Sequence, residues 1–249
     1  MAIMIKTTAE IEKMRRSGIL LRQVHDAIAP LVVPGATTMD LEEAACRKIE
    51  ELGAIPAFKG YHGFPAALCT SVNNQVVHGI PNAKTVLKDG DIVSIDCGVI
   101  LDGYYSDAAV TYPVGKVSEQ TTKLLEVTKQ SLELAIKQAV VGGRLGDISA
   151  AVQEHCEAAG FGVVREFVGH GIGKAMHEDP QVPNYGAKGK GPRLKAGMVL
   201  AIEPMINAGG PEVKVLKDGW TAVTIDGGYS AHFEHTVAIT KDGPYVLTR

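Results

Sequence analysis

The sequence predicts an α/β fold built from two similar halves that face each other across a cleft. In each half a pair of helices precedes strands, and Leu87-Lys88-Asp89-Gly90-Asp91-Ile92-Val93-Ser94-Ile95-Asp96 parallels Leu194-Lys195-Ala196-Gly197-Met198-Val199-Leu200-Ala201-Ile202-Glu203. His78-Gly79-Ile80 has a shorter echo, in the same order, in His170-Gly171-Ile172. An LKxG turn before an apolar strand can recur by chance. Two ordered matches, each behind a helix pair, favour a duplicated helix–helix–strand unit. The halves are expected at about residues 1–115 and 116–249 of a single domain, and ligand sites prefer the cleft between such units.

The first half opens with Thr7-x-x-Glu10, the pattern of a capping box. Apolar Ile11, Met14, Ile19, Leu20, Val24 and Ile28 follow at helical spacing, and Val33-Pro34-Gly35 ends the run. A second helix is expected from residue 39 or 40 to 52, stopped by Gly53. Beyond a loop rich in Gly and Pro, residues 91–113 read as a β-hairpin that turns near Leu101-Asp102-Gly103. In the second half, helices are expected over 119–140, ended by Gly142-Gly143, and over 147–159, ended by Gly160, with strands after them.

A chain of 249 residues that is 45% hydrophobic can bury a sizeable core. Its 25 basic and 28 acidic residues nearly balance, which excludes intrinsic disorder and argues against nucleic-acid binding through bulk charge. Cys46, Cys69, Cys97 and Cys156 show no CxxC spacing, so free thiols in a reducing compartment are expected. The opening Met-Ala-Ile-Met-Ile-Lys is too short for a signal peptide, and no stretch approaches the roughly 20 apolar residues that span a bilayer. A soluble, cytoplasmic protein is the expectation.

Each copy of the repeat closes an apolar strand with an acid, Asp96 in the first and Glu203 in the second. One such acid can simply reach solvent or serve a salt bridge. Asp107 adds a constraint. If the hairpin turn holds two or four residues, Asp96 faces Asp107 or its same-face neighbour Ala109, and both acids point to one face. An odd turn would separate them. Like charges that close repel unless a proton or cation lies between them. Glu234, within Ala231-His232-Phe233-Glu234-His235-Thr236-Val237, supplies a fourth acid. Alternation there puts His232, Glu234 and Thr236 on one face, and both histidines read as ordinary, satisfied strand residues.

His170 differs, because the glycines of Gly169-His170-Gly171-Ile172-Gly173 bring the backbone close and leave the imidazole unshielded. That suits a metal ligand, and equally a solvent-facing turn. Two Asp, two Glu and one His make an oxygen-rich set that favours hard or borderline divalent ions, as a pair because the negative charge is large. Such a pair can deprotonate a water and clamp a tetrahedral transition state. Other chemistries lack their motifs. His177-Glu178 has Gln181 where HExxH needs its second histidine, His232-x-Glu234 lacks a PCxxC partner, and neither GxSxG nor a P-loop is present. Lys188-Gly189-Lys190-Gly191 reads as a solvated loop.

The ordered set Asp96, Asp107, His170, Glu203 and Glu234 resembles that of the type I methionine aminopeptidases, metallopeptidases of the pita-bread fold. The resemblance covers essentially the whole chain. Its most specific stretches are Ser71-Val72-Asn73 through Val77-His78-Gly79-Ile80-Pro81, Asp96-Cys97-Gly98, Tyr105-Ser106-Asp107, Gly169-His170-Gly171-Ile172-Gly173, His177-Glu178, Ala201-Ile202-Glu203-Pro204 and Phe233-Glu234-His235-Thr236. It implies an α/β (α+β) architecture with pseudo-two-fold duplicated halves around a central antiparallel sheet. It also implies two divalent metal ions per chain (Co, Mn, Fe or Zn). Asp96 would chelate one ion, Asp107 and Glu234 would bridge both, and His170 and Glu203 would complete the other. His78 and His177 would be catalytic without binding metal, His78 near the scissile amide and His177 at the carbonyl oxygen as it gains charge. Glu203 would accept the proton of the bridging water. The substrate methionine would enter an apolar pocket drawn from Tyr61, Phe64, Cys69, His78, His177 and Trp220. Met176 stands where Phe is frequent and Phe58 where Cys is often found, departures that touch pocket shape and not the metal chemistry.

The implied activity is removal of the initiator methionine from nascent chains whose second residue is small, through attack of a metal-bridging hydroxide on the peptide carbonyl. The implied partners are nascent N-termini and, transiently, the ribosome, without direct nucleic-acid specificity or membrane contact. A monomer is the implied state. Two rivals share the fold. One is an X-Pro peptidase, whose extra N-terminal domain does not fit in 249 residues. The other is a non-catalytic binding homologue, against which the presence of all five ligands stands.

Overall fold

Two helix pairs back two antiparallel sheets in the computed structural model, which describes residues 2–249; Met1, the head of the opening apolar run, lies outside them. α1 (Thr8–Ile28) carries the expected capping box from Thr7 and Glu10. Its buried stripe includes Met14, Ser17, Leu21, Val24 and Ile28, so Leu21 rather than Leu20 faces the core. α2 (Thr38–Glu51) starts earlier than expected because Thr37 and Asp40 form a second capping box. α3 (Glu119–Gln138) and α4 (Leu145–Ala158) open the second half. α4 starts before residue 147 because Asp147 reaches back to accept the Arg144 N–H at 2.7 Å. No helix among the described residues is long and apolar enough to cross a membrane. All four cysteines are free.

The first half continues through β1 (Ile55–Pro56), β2 (Leu68–Val72), β3 (Gln75–Val77), β4 (Ile92–Leu101) and β5 (Tyr104–Pro113). β4 and β5 form the expected hairpin, closed by Asp102-Gly103 with φ of 51° and 78°, a two-residue turn whose twist matches its strands. The even turn sets Asp96 opposite Ala109 and Gly98 opposite Asp107, so both acids share a face. On the other face Val93, Ile95, Cys97 and Val99 pack with Leu21, Val24, Leu41 and Ile49 of the helix pair. Each such buried aliphatic chain contributes about 1.5–3 kcal/mol.

The second half runs through β6 (Gly162–Val163), β7 (Gly169–Gly171), β8 (Glu178–Val182), β9 (Val199–Ile202), β10 (Met205–Asn207), β11 (Val213–Val215), β12 (Ala222–Thr224), β13 (Ser230–His232), β14 (His235–Thr240) and β15 (Gly243–Val246). β9 lies between β14 and β7 as β4 lies between β5 and β2. Gly90 and Gly197, which precede β4 and β9, share left-handed φ values of 92° and 91°. The stretches that match in letters thus match in conformation. Two three-stranded sheets, β13-β10-β6 and β11-β12-β3, complete the structure.

Two details depart from expectation. Asp96 lies in the middle of β4, not at its end, whereas Glu203 directly follows β9. Residues 231–237 are not one strand. The chain breaks at Phe233 and Glu234, where the Glu234 N–H turns to the Ala109 carbonyl of β5 at 2.9 Å.

That contact belongs to a seam where β5 runs past β13 and β14, and two threonine hydroxyls extend it. Thr111 Oγ1 accepts the His232 N–H (2.8 Å) and donates to the His232 carbonyl (2.7 Å). Thr236 Oγ1 accepts the Asp107 N–H (3.0 Å) and donates to the Asp107 carbonyl (2.8 Å). Each half contributes one clip, and all four residues are buried. Thr111→Val keeps the shape but leaves the His232 N–H and carbonyl unpaired. At about 1–3 kcal/mol per unpaired buried group, urea unfolding is expected to show a loss of roughly 2–6 kcal/mol. An unchanged stability would show that the clip contributes nothing.

Candidate active site

A partly open cavity of about 240 Å³ lies where the two halves meet. Asp96 of β4, Asp107 of β5, His170 of β7, Glu203 after β9 and Glu234 between β13 and β14 all line it. Tyr61, Phe64, Cys69, His78, His177 and Trp220 line it too, as do Phe58 and Met176. The glycines around His170 serve close packing: a Cβ at Gly169 would lie 2.3 Å from the Ala201 carbonyl oxygen, and one at Gly171 2.3 Å from that of Asp179.

Four carboxylates share this space, and burial is the largest influence on each. It pushes Asp96 up to about 7 and raises Asp107, Glu203 and Glu234 well above the usual carboxylate range. Mutual repulsion adds to it, from Glu234 and Asp96 on Asp107, from Asp107 and Asp96 on Glu203, and from Glu203 and Asp96 on Glu234. Enclosed charges of one sign need protons or cations between them. Burial moves the histidines the other way, His170 down to about 3, His78 to about 4, and His177 below its ordinary value. Burial therefore favours the neutral form of all three rings.

A neutral His170 has one N–H. Its Nδ1 lies 2.9 Å from the Gly171 carbonyl, which can only accept, so Nδ1 carries the proton and Nε2 presents a lone pair. That nitrogen lies 3.5 Å from Glu203 Oε1 and 3.9 Å from Asp107 Oδ2. Asp96 Oδ1, Asp107 Oδ1, Glu234 Oε1 and His232 Nε2 are buried without a hydrogen-bond partner. Ligand atoms of Asp107, His170 and Glu234 lie within 4.8 Å of one another, as do those of Glu203, His232 and Glu234; Asp96 belongs to neither trio. The converging carboxylate oxygens and the His170 lone pair fit hard or borderline divalent cations.

His177 Nδ1 lies 2.8 Å from the Tyr61 hydroxyl, and its ring centroid is 4.3 Å from that of His170. The adjacent Glu178 pairs with Lys6 at 2.5 Å and so serves the packing of its loop. His78 adopts φ 59°, a conformation uncommon outside glycine, with its ring edge-to-face against Phe167 at 5.4 Å.

Sequence reasoning missed His62, Phe167, Met205 and His232, which also line the cavity. Its reading of His232 as a satisfied strand residue is corrected here: Nε2 has no partner, lies 3.7 Å from Glu203 Oε2, and the residue is 2% exposed. The available signal was the alternation that set His232 on the Glu234 side. His235 is satisfied, with Nδ1 at 2.9 Å from Thr248 Oγ1.

A model of metallopeptidase family M24 matches residues 12–241. A methionine aminopeptidase of Clostridium perfringens is 55% identical over 246 residues, 99% of this chain and 98% of that one. The crystal structure of a methionine aminopeptidase from Thermotoga maritima matches with a TM-score of 0.98 and 50% identity, covering 100% of both chains. A prolidase from Pyrococcus furiosus matches with a TM-score of 0.78 and 25% identity, and 65% of its chain is covered. With this architecture, the pita-bread fold, and with identity sustained along its length, the chain belongs to the methionine aminopeptidases of metallopeptidase family M24.

Proposed function

We propose that this protein is a dinuclear metallo-exopeptidase that removes the initiator methionine from nascent proteins when the second residue is small. The observation that carries the reading is the set of enclosed acids, with unpartnered oxygens, opening on the same cavity as an aromatic wall. The names of the full-length relatives support the methionine preference.

Asp96, Asp107, His170, Glu203 and Glu234 would hold two divalent ions (Co, Mn, Fe or Zn), with Asp107 and Glu234 shared between them. When bound, such ions supply Lewis acidity and lower the pKa of a water at neutral pH. The methionine side chain would lie against Tyr61, Phe64, Cys69 and Trp220, where the Phe64 and Trp220 rings meet edge-to-face at 5.1 Å. The Tyr61 hydroxyl can donate to Nδ1 of neutral His177, which leaves its Nε2–H for the carbonyl oxygen as charge develops there. His78 would hydrogen-bond the scissile amide region. Glu203, whose proton affinity burial and its acidic neighbours raise, would accept the proton of the attacking water. The whole chain would act as one catalytic domain, a cytoplasmic monomer that meets nascent N-termini and, transiently, the ribosome.

Room beyond the scissile bond sets the first test. Met-Ala-Ser is expected to be cleaved and Met-Leu-Ser scarcely at all; equal turnover of the two would refute the assignment. A second test concerns the ligands. Asp107→Asn keeps the shape and removes a shared charge, so calorimetric metal titration is expected to show at least one ion bound much more weakly. Unchanged affinity and stoichiometry would contradict the ligand set. The third separates His177 from the ligands. His177→Ala is expected to lower kcat about 10²–10³-fold with little change in KM, the range for a single oxyanion donor. Bound metal should survive that change. Normal kcat per folded molecule, or loss of the metals, would remove His177 from this role.

A further inference from the structure

Resting on the metallopeptidase reading above, we propose that His232 is a positioning residue whose Nε2–H holds Glu203 Oε2, leaving Oε1 to face His170. Glu203 lies between two imidazoles, with His170 Nε2 at 3.5 Å from Oε1 and His232 Nε2 at 3.7 Å from Oε2. The two rings need not play the same part. The Gly171 carbonyl fixes the His170 proton on Nδ1, so its Nε2 is an acceptor. His232 Nε2 is buried without a partner, and a small turn of the Glu203 carboxylate closes the gap to a hydrogen bond of about 2.9 Å.

The backbone fixes where His232 stands. Thr111 takes both its N–H and its carbonyl, and β13 pairs it with Met205, two residues beyond Glu203. Glu203 is tied from its other end, where Asn184 Nδ2 donates to its carbonyl at 2.9 Å. The carboxylate would then be oriented at one oxygen by His232 and free at the other to bind. Partners of this kind fix a ligand's direction, and losing one typically weakens metal affinity 10–100-fold. The competing role for the same nitrogen is direct ligation beside Glu203 and Glu234, whose ligand atoms lie within 4.8 Å of it.

The test titrates Mn(II) calorimetrically into the full chain stripped of metal, and records the Co(II) absorption bands, for the parent, His232→Leu and His232→Gln. Leucine fills the space without a donor, while the glutamine amide N–H reaches about as far as the ring. His232→Leu is expected to weaken at least one ion about 10–100-fold at unchanged melting temperature. His232→Gln is expected to recover most of that affinity with parental Co(II) bands. Parental affinity in His232→Leu overturns the proposal. So does a His232→Gln protein as weak as the leucine variant, altered Co(II) bands then marking direct ligation. If the leucine variant does not fold, His232→Gln decides: near-parental affinity and bands support positioning, and altered bands overturn it. A parent that takes up no ion overturns the metallopeptidase reading first, and this proposal with it.

Discussion

Four carboxylates lining one cavity are the constraint on which the rest of the molecule depends. Desolvating each costs several kcal/mol, and their repulsion adds to that cost. A side chain free to swing would leave for solvent. These cannot do so easily, because the backbone beside each is tied. Asp107 is held by Thr236, Glu234 by Ala109 and Glu203 by Asn184, while Asp96 sits mid-strand in a β4 paired on both edges. The apolar faces that offset the cost lie on the other side of the sheets, against the helices. One face of each sheet stabilises what the other strains.

The division of labour between the halves explains the seam. The first half supplies both aspartates, and the second supplies His170 and both glutamates. Neither holds the set alone, so the site exists only where the sheets meet. A continuous β-ladder there would carry residue 234 along with its strand. The chain breaks instead, and backbone groups left beside the break still need partners, since buried N–H and carbonyl groups are rarely left unpaired. Thr111 and Thr236 are the partners. A hydroxyl can donate and accept at once, so one side chain satisfies both groups of the residue it faces.

What was legible in the sequence followed short-range rules. Strand periodicity of two meant that an even turn would put Asp96 and Asp107 on one face, and the two-residue Asp102-Gly103 turn of the structure meets that condition, which the sequence had left open. The Thr7-Glu10 capping box, helical spacing and terminal glycines located the helices, with Leu20 and Leu21 confused because adjacent leucines both fit a helical stripe. Residues that depend on distant pairing were not legible. Alternation over 231–237 looks the same whether the strand is continuous or broken, so the turn of Glu234 towards Ala109 left no local mark. The meeting of His232 with Glu203 needs the β10–β13 pairing, and the Thr111 clip needs the seam register; neither has a local pattern. The resemblance to a family supplied roles for His78 and His177 that spacing did not.

The two neighbouring histidines make the same point at the scale of a single proton. His170 and His177 have ring centroids 4.3 Å apart, and burial favours the neutral form of both. Composition gives them the same chemistry, yet their proposed parts are opposite, one a lone-pair ligand and the other a hydrogen-bond donor. The difference lies in what faces Nδ1. A backbone carbonyl only accepts, so it draws the His170 proton to Nδ1 and frees Nε2 as a base. A tyrosine hydroxyl can give its own proton, so Tyr61 allows His177 to keep its proton on Nε2. The glycine at 171 packs that strand tightly, and the loop before β2 brings Tyr61 across the cavity. Function at each ring is thus decided by the fold around its far nitrogen, which is why a histidine's role is read from its neighbours rather than from its letter.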